Sequence, residues 1–123
     1  MAMTNDRTGH LHFLKAQAVN AIIFLDAYLQ VEMDNATLTC YTWPLVLGAA
    51  TDYTHTHIDY KNQLCFFITK TISGITETEK GLVLTFDSRE LLFEKDGERE
   101  VLVITDANGE WYSYPSLDVW GFE

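Results

Sequence analysis

The stretch that decides the fold runs from Val19 to Tyr41 and reads VNAIIFLDAYLQVEMDNATLTCY. Its first part, residues 19–25, is mostly apolar and rich in β-branched residues, which indicates a strand that we expect at the centre of a sheet. The next part alternates with a period of two, so Leu29, Val31 and Met33 share one face of a second strand. The sequence therefore predicts neighbouring strands of an antiparallel meander.

A tight turn and a third strand complete this stretch. Asp34 and Asn35 tolerate the left-handed backbone of turns, and residues 37–42 return as a strand that Pro44 ends, because proline has no N–H to donate to a sheet. The rest of the chain predicts a short helix over 9–18, a longer amphipathic helix over 59–70, and strands over 72–78, 81–86, 90–94, 101–105 and 110–114. We therefore expect an α+β fold, in which antiparallel meander sheets have the 59–70 helix as their main covering helix.

The chain also echoes itself at an offset of 53 residues. Shifting it by that offset superposes like residues, such as Leu29 on Leu82, Asp34 on Asp87, and Leu38 on Leu91. The order of helix, strand and hairpin then repeats in residues 9–44 and 59–97, and a C-terminal hairpin over 101–114 is appended. Two interpretations stay open: an internal duplication, or the general similarity of any two helix-plus-meander units. Either one gives a single domain over 9–123 behind a disordered N-terminus, residues 1–8.

The composition suits one globular domain with a strong negative charge. The chain has 123 residues, of which 47% are hydrophobic, and its 18 acidic and 8 basic residues give a net charge of −10. Nucleic acids and anionic membranes attract clusters of Lys and Arg, so this charge disfavours both as ligands. It would instead attract a basic partner. The alternative is that the acidity only keeps the protein soluble.

The two cysteines and the lack of targeting signals indicate the compartment. Cys40 and Cys65 lie in apolar segments and match neither a disulfide framework nor a Cys-x-x-Cys metal site, so we expect both to be inert core thiols. No run approaches the roughly 18 uncharged apolar residues of a membrane span. Asp6 stands where a signal peptide has its basic region. We therefore predict a cytoplasmic protein.

Two segments resemble known bacterial proteins. The run Tyr28-Leu29-Gln30-Val31-Glu32-Met33-Asp34, followed by Tyr41-Thr42-Trp43-Pro44, is similar to a pattern in small uncharacterised bacterial proteins of about this length. That resemblance implies an antiparallel α+β domain and assigns no activity. In size and acidity the chain also resembles immunity proteins, which neutralise bacterial toxins.

The histidines give the chain its one candidate metal site. His55 and His57 form an H-x-H pair, a spacing that can place both imidazoles on one ion, and Asp59 follows closely. These residues suggest a small metal- or ligand-binding enzyme with nearby carboxylates. The alternative is a pair of surface histidines. Because the chain has no nucleophile elbow and no phosphate-binding glycine loop, we predict no catalytic residue and no cofactor, and we favour a protein that is not an enzyme.

A cluster of aromatic residues near the C-terminus gives the leading prediction. It contains Trp111, Tyr112, Tyr114 and Trp120, beside Glu110. Trp and Tyr bury much area with few rotatable bonds, which favours them at interfaces. The alternating acids of residues 94–100 form an acidic segment that we interpret as a solvated face. We therefore predict an acidic protein-interaction module, of immunity or inhibitor type, that binds a basic protein through these five residues. The alternative is that the aromatic residues cover one end of the core. A homodimer through an open sheet edge is also compatible with the pattern.

Overall fold

The protein is mainly β, with two antiparallel sheets that share one hydrophobic core. The computed structural model describes residues 7–48, 51–87, 89–117 and 119–120, of which residues 7, 119 and 120 are described by their backbone only. Over these residues it contains eleven strands, one 3-10 helix and one α-helix of six residues. The predicted antiparallel sheets are confirmed. The predicted α+β class with a main covering helix is wrong, because so short a helix cannot cover a sheet.

The helices and strands follow one another along the chain as a 3-10 helix Arg7–Leu14, β1 Val19–Phe24, β2 Leu29–Met33, β3 Ala36–Cys40, β4 Leu45–Leu47, β5 Asp52–Tyr53, α1 Tyr60–Cys65, β6 Gly74–Glu77, β7 Gly81–Phe86, β8 Arg89–Glu94, β9 Leu102–Asp106, β10 Trp111–Tyr114 and β11 Val119–Trp120.

The first sheet has six strands in the order β1-β2-β3-β9-β10-β11, and the second has five in the order β5-β4-β8-β7-β6. Alternate side chains of both sheets enter the same core. Leu38 and Ile104 of the first sheet and Leu84 and Leu91 of the second are each at most 1% exposed. Burial of these apolar faces, worth roughly 25 cal/mol per Å², is what holds the two sheets together.

The helix predicted over 59–70 ends early. Only Tyr60–Cys65 is α-helical. Beyond it, Phe67 donates to a carbonyl three residues back at 3.0 Å, and Thr69 adopts a left-handed backbone with φ 79°. The backbone N–H of Thr69 instead donates to the carbonyl of Val19 at 2.8 Å. This contact with the first half of the chain overrides the helical periodicity of the sequence.

The N-terminal helix is of the 3-10 type and short. Arg7 and Thr8, which we predicted to be disordered, begin this helix, and Thr8 is only 1% exposed. The remaining residues of that predicted segment, 1–6, lie outside the described residues. With eight residues it is the longest helix in the described part of the chain, where no helix is long and apolar enough to cross a membrane.

The strand over Val19–Phe24 lies at a sheet edge and not at the centre, as we had expected. Among the strands β1 pairs with β2 alone, with an irregularity between Val19 and Ala21, and outside the strands Val19 forms one parallel bridge with Ile68. After Val19 its side chains are exposed or only partly buried. Its apolar composition therefore does not reflect burial on both faces, as the prediction assumed.

Backbone geometry recurs at the same offset of 53 residues that the sequence shows. Ala16 and Thr69 are counterparts, and both have a positive φ, of 69° and 79°. Ala18 and Thr71, also counterparts, pair with each other in an antiparallel bridge, as residues beside a twofold axis do. The surrounding backbone hydrogen bonds also have counterparts at this offset. The bond from Ala16 N to Ile72 O corresponds to that from Thr69 N to Val19 O, and both are 2.8 Å. Two further pairs correspond in the same way: Val19 N to Lys70 O (3.0 Å) and Ile72 N to Gln17 O (3.1 Å), and Leu25 N to Tyr28 O (2.9 Å) and Thr78 N to Gly81 O (2.8 Å).

Each half of the chain also completes the sheet of the other half. The pair β4–β5 follows the first meander in sequence but joins β8 of the second sheet, whereas β9–β10 follows the second meander and joins β3 of the first. The register agrees in the two sheets, which contain the cross-strand rows Leu38–Ile104–Tyr112 and Leu91–Val46–Tyr53. The two strand pairs are thus exchanged between the halves.

The two cysteines have different environments. Cys40 is buried, and burial raises the pKa of its thiol well above the ordinary value. Cys65 is exposed at the end of α1, so our prediction that it is a core thiol is wrong. The early end of the helix explains the difference, because the chain turns away just after this residue.

We expect one of the two thiols of the native protein to react readily with a disulfide reagent such as DTNB. Cys65 is accessible to the reagent, while Cys40 is both covered and held in the unreactive protonated form. Absorbance should report one thiol per native chain and two after denaturation in guanidinium. In a Cys65→Ser variant the native signal should disappear, and a rapid native signal from that variant would contradict the structure.

Candidate functional site

Side chains along β10 point alternately to the two faces of the sheet, so the aromatic residues that we predicted as one surface lie on both faces. Trp111 lies on the outer face of the six-stranded sheet and is 37% exposed, whereas Tyr112 and Tyr114 point into the core and are 7% and 0% exposed. Both tyrosines are therefore corrections to the predicted partner-binding set, because their rings are part of the core. The backbone of Trp120 pairs with that of Trp111, and its side chain lies outside the described residues.

Trp111 lines a shallow depression with carboxylates at its rim, which we call the Trp111 depression. Its volume is about 340 Å³, and it is lined by Glu98, Glu100, Trp111, Ser113, Pro115 and Ser116. Three separate segments meet there: the loop before β9, strand β10 and the turn that follows it. The depression therefore exists only because the last hairpin folds back beside the acidic loop.

Hydrogen bonds fix the walls of the depression. Val101 N–H donates to the carbonyl of Tyr114 at 3.0 Å, which places the residue before it, Glu100, against β10. The hydroxyl of Ser113 donates to the carboxylate of Glu100, and that of Ser116 donates to the carbonyl of Ser113 at 3.1 Å. Glu100 is thus held beside the indole of Trp111.

The turn from β9 to β10 carries further negative charge. One oxygen of Asp106 accepts from the N–H groups of Asn108 and Glu110, at 2.9 and 3.0 Å, and Gly109 supplies the positive φ, 86°, that this predicted Asn-Gly turn requires. Burial raises the pKa of Tyr112, and the carboxylates of Asp106 and Glu110 raise it further. Glu110 itself is exposed.

The arrangement suits recognition of a cation. The Trp111 depression brings together an exposed indole and two carboxylates, which are the groups that bind an ammonium or guanidinium ion in water. The carboxylates of Glu98 and Glu100 are on exposed residues, where a ligand can reach them. Among the described residues that line the depression there is no histidine, cysteine or lysine.

The candidate metal ligands His55, His57 and Asp59 make separate contacts. The His55 ring stacks on Trp43, with centroids 6.3 Å apart, whereas the His57 ring meets the edge of Tyr53 at 4.8 Å. Nδ1 of His57 already accepts a hydrogen bond from the N–H of Asp59 at 3.0 Å. Among the residues that the structure describes, no three His, Cys, Asp or Glu side chains are grouped to hold a metal ion.

The carboxylate of Asp59, which immediately precedes α1, also forms hydrogen bonds with side chains of that helix. It accepts from the side-chain amides of Gln63 and Asn62, at 2.7 and 2.9 Å, and these hydrogen bonds lower its pKa, that of Gln63 most. The group serves the first turn of the helix, where a negative charge also complements the helix dipole.

Sequence reasoning missed Ser113, Pro115 and Ser116 as neighbours of the acidic segment. For Pro115 and Ser116 a signal was available: the Asn-Gly turn fixes the register of the last hairpin, in which Leu102 pairs with Tyr114, and counting outward from that pair brings Glu100 beside the residues that follow β10. Comparison of the chain with known protein families, curated proteins and solved structures finds no match.

Proposed function

We propose that the protein is an acidic interaction module, of immunity or inhibitor type, that binds a basic protein partner. A Lys or Arg side chain of that partner occupies the Trp111 depression. The observation that carries the proposal is the juxtaposition of the exposed indole of Trp111 with the carboxylates of Glu98 and Glu100. Glu110, also exposed, extends the negative surface at the end of the same hairpin.

Two physical terms favour this partner. A cation over an indole gains about 0.5–2 kcal/mol, and a carboxylate beside it adds a charge-assisted hydrogen bond. The net charge of −10 acts at longer range, because it accelerates the encounter with a basic protein and repels an acidic one. Short-range fit and long-range attraction thus select the same class of partner.

The alternative function, a metal- or ligand-binding enzyme that uses His55 and His57, is favoured by no contact in the described part of the chain. A cytoplasmic location stays a prediction. So does a homodimer, for which the edge strand β1 offers backbone groups that no other strand satisfies within the first sheet as described.

We further infer that the two halves arose by internal duplication. The matched hydrogen bonds and the paired positive φ angles support this inference more strongly than the sequence echo alone, since they do not depend on residue type. The exchange of β4–β5 and β9–β10 fits a duplicated chain whose two copies first associated as a pair.

We expect the protein to bind an oligolysine peptide with an affinity that falls steeply as salt is added, and Trp111→Ala to weaken that binding about tenfold at low salt. Glu98→Gln combined with Glu100→Gln should weaken it by a similar factor. Isothermal titration calorimetry measures both effects. Tyr41→Ala, which removes another exposed aromatic residue, and Glu32→Gln, on the same sheet, are the matched controls and should change the affinity less than twofold.

The proposal fails if the peptide does not bind, or if the control variants weaken binding as much as the variants in the depression. Equal losses would show that only the net charge matters and that Trp111 has no special role.

A further inference from the structure

The two halves differ on the surface around one pair of counterparts, Phe13 in the first half and Phe66 in the second. In the first half, Phe13 packs against Tyr112, with ring centroids 5.5 Å apart. Gln17 lies beside it and is 8% exposed, because its amide donates to the carbonyl of Phe13 at 2.6 Å and accepts from the N–H of Asn35 at 2.8 Å. This corner of the first half is therefore closed by side chains of the protein itself.

The equivalent corner of the second half is open. Phe66, the counterpart of Phe13, is 53% exposed, and Lys70, the counterpart of Gln17, is also exposed. Tyr53, which occupies the cross-strand position of Tyr112, contacts His57. A pocket of about 290 Å³ results, lined by Phe66, Phe67, Lys70, Phe86, Asp87 and Arg89.

The pocket also contains an arginine, Arg89, whose counterpart in the first half is not a charged residue. Arg89 corresponds to Ala36, and its guanidinium lies over the ring of Phe66, 4.3 Å from the centroid. It donates to the side-chain oxygen of Gln63, whose amide in turn donates to Asp59 at 2.7 Å. The chain Asp59–Gln63–Arg89 orients the guanidinium before any ligand arrives, which reduces the entropy lost on binding.

We propose that this pocket binds a small monocarboxylate with a flat apolar body. The planar fork of an arginine matches a carboxylate in two parallel hydrogen bonds, and Lys70 adds a second cation. Together with Asp87 the lining carries a net charge of +1, which suits a singly charged carboxylate better than a doubly charged phosphate. The exposed ring of Phe66 supplies an apolar wall, and the buried Phe67 and Phe86 lie behind it. The volume of about 290 Å³ lies just below the range for ligand pockets, about 300–1,000 Å³, which suits a small ligand.

This proposal does not depend on the interaction proposed for Trp111. The two sites have opposite charge, and they share no lining residue. A basic partner at one site and a small acid at the other can therefore be tested separately on the same full-length protein.

The test uses benzoate as the probe, benzamide as its neutral isostere and inorganic phosphate as the second anion. We expect benzoate to shift the backbone NMR signals of Phe66, Lys70 and Arg89 in a saturable way, with at least tenfold higher affinity than benzamide or phosphate. Equal affinity for benzoate and benzamide would overturn the proposal, since the cations would then contribute nothing. Tighter binding of phosphate would overturn the assignment of a monocarboxylate.

Variants identify the groups responsible. Arg89→Gln and Lys70→Gln should each weaken benzoate binding about tenfold, whereas Lys80→Gln, at the opposite end of β7, should leave it within twofold. Asp87→Asn should tighten binding several-fold by removing the one negative charge of the lining, and asparagine accepts the positive φ, 46°, of this position. A gain in affinity cannot come from misfolding, so an Asp87→Asn variant that binds no more tightly than the natural protein contradicts the proposal.

Discussion

Replacing Gly81 with alanine should destabilise the protein by about 3 kcal/mol, although the change adds one methyl group. Gly81 begins β7 and lies opposite Glu94 of β8. A Cβ atom here would lie 2.1 Å from the carbonyl oxygen of Phe93 and 2.9 Å from the Cα of Glu94. Both are backbone atoms of the neighbouring strand, so no side-chain rotation relieves the clash, and β7 and β8 must separate.

The matched control is Gly74→Ala in β6 of the same sheet. There a Cβ meets only the side chain of Thr85, at 3.5 Å, which is an ordinary contact. Since alanine loses less conformational entropy than glycine in a strand, this change should be neutral or slightly stabilising. Urea unfolding followed by circular dichroism measures both variants, and equal stability of the two would show that the β7–β8 spacing is not as described.

Leu38→Ala and Leu91→Ala should each lower the free energy of unfolding by about 3 kcal/mol. These residues are counterparts in the two halves and are 0% and 1% exposed. Leu38 lies in β3, between β2 and β9, and Leu91 in β8, between β7 and β4. Because the environments are equivalent, the two losses should agree within about 1 kcal/mol, the scatter expected of such measurements.

Thr37→Ala is the control for these substitutions. Thr37 neighbours Leu38 in β3 but lies on the outer face and is only partly buried, so its loss should cost less than about 1 kcal/mol. Thermal unfolding of the three variants gives the comparison. If one leucine proved as tolerant as the threonine, the twofold equivalence of the two cores would be contradicted.

The local elements of the fold could be read from the sequence because their signals are local. The alternation Leu29, Val31, Met33 is buried on one face as predicted, and the Asn108-Gly109 turn joins the two strands expected on either side of it. Each of these features depends on residues that lie within about ten positions of each other.

Strand order could not be read in the same way. β3 pairs with β9, and the local pattern of 36–40 contains nothing that selects a partner more than sixty residues away. The spacing of apolar residues over 59–70 also fitted a helix, but it could not reveal that Thr69 would donate to Val19. Tertiary hydrogen bonds decided both questions.

The alternation of β10 explains why composition alone could not separate the surface aromatic residues from the buried ones. Trp111 and Tyr112 are adjacent in sequence but lie on opposite faces of the sheet, so grouping the aromatic residues by composition joined surface and core. The pocket at Arg89 was not predicted from the sequence. It arises from a structural difference between the two halves, and that difference is visible only when their backbones are compared.

The exchange of strand pairs also determines when the first sheet can form during translation. On the ribosome, β3 emerges long before β9, its permanent neighbour, has been synthesised. The edge of β3 that β9 occupies in the folded protein therefore stays unpaired until β9, more than sixty residues later, has been translated, and such long-range pairing is slow. During that interval the unpaired edge of β3 is available for pairing with other chains.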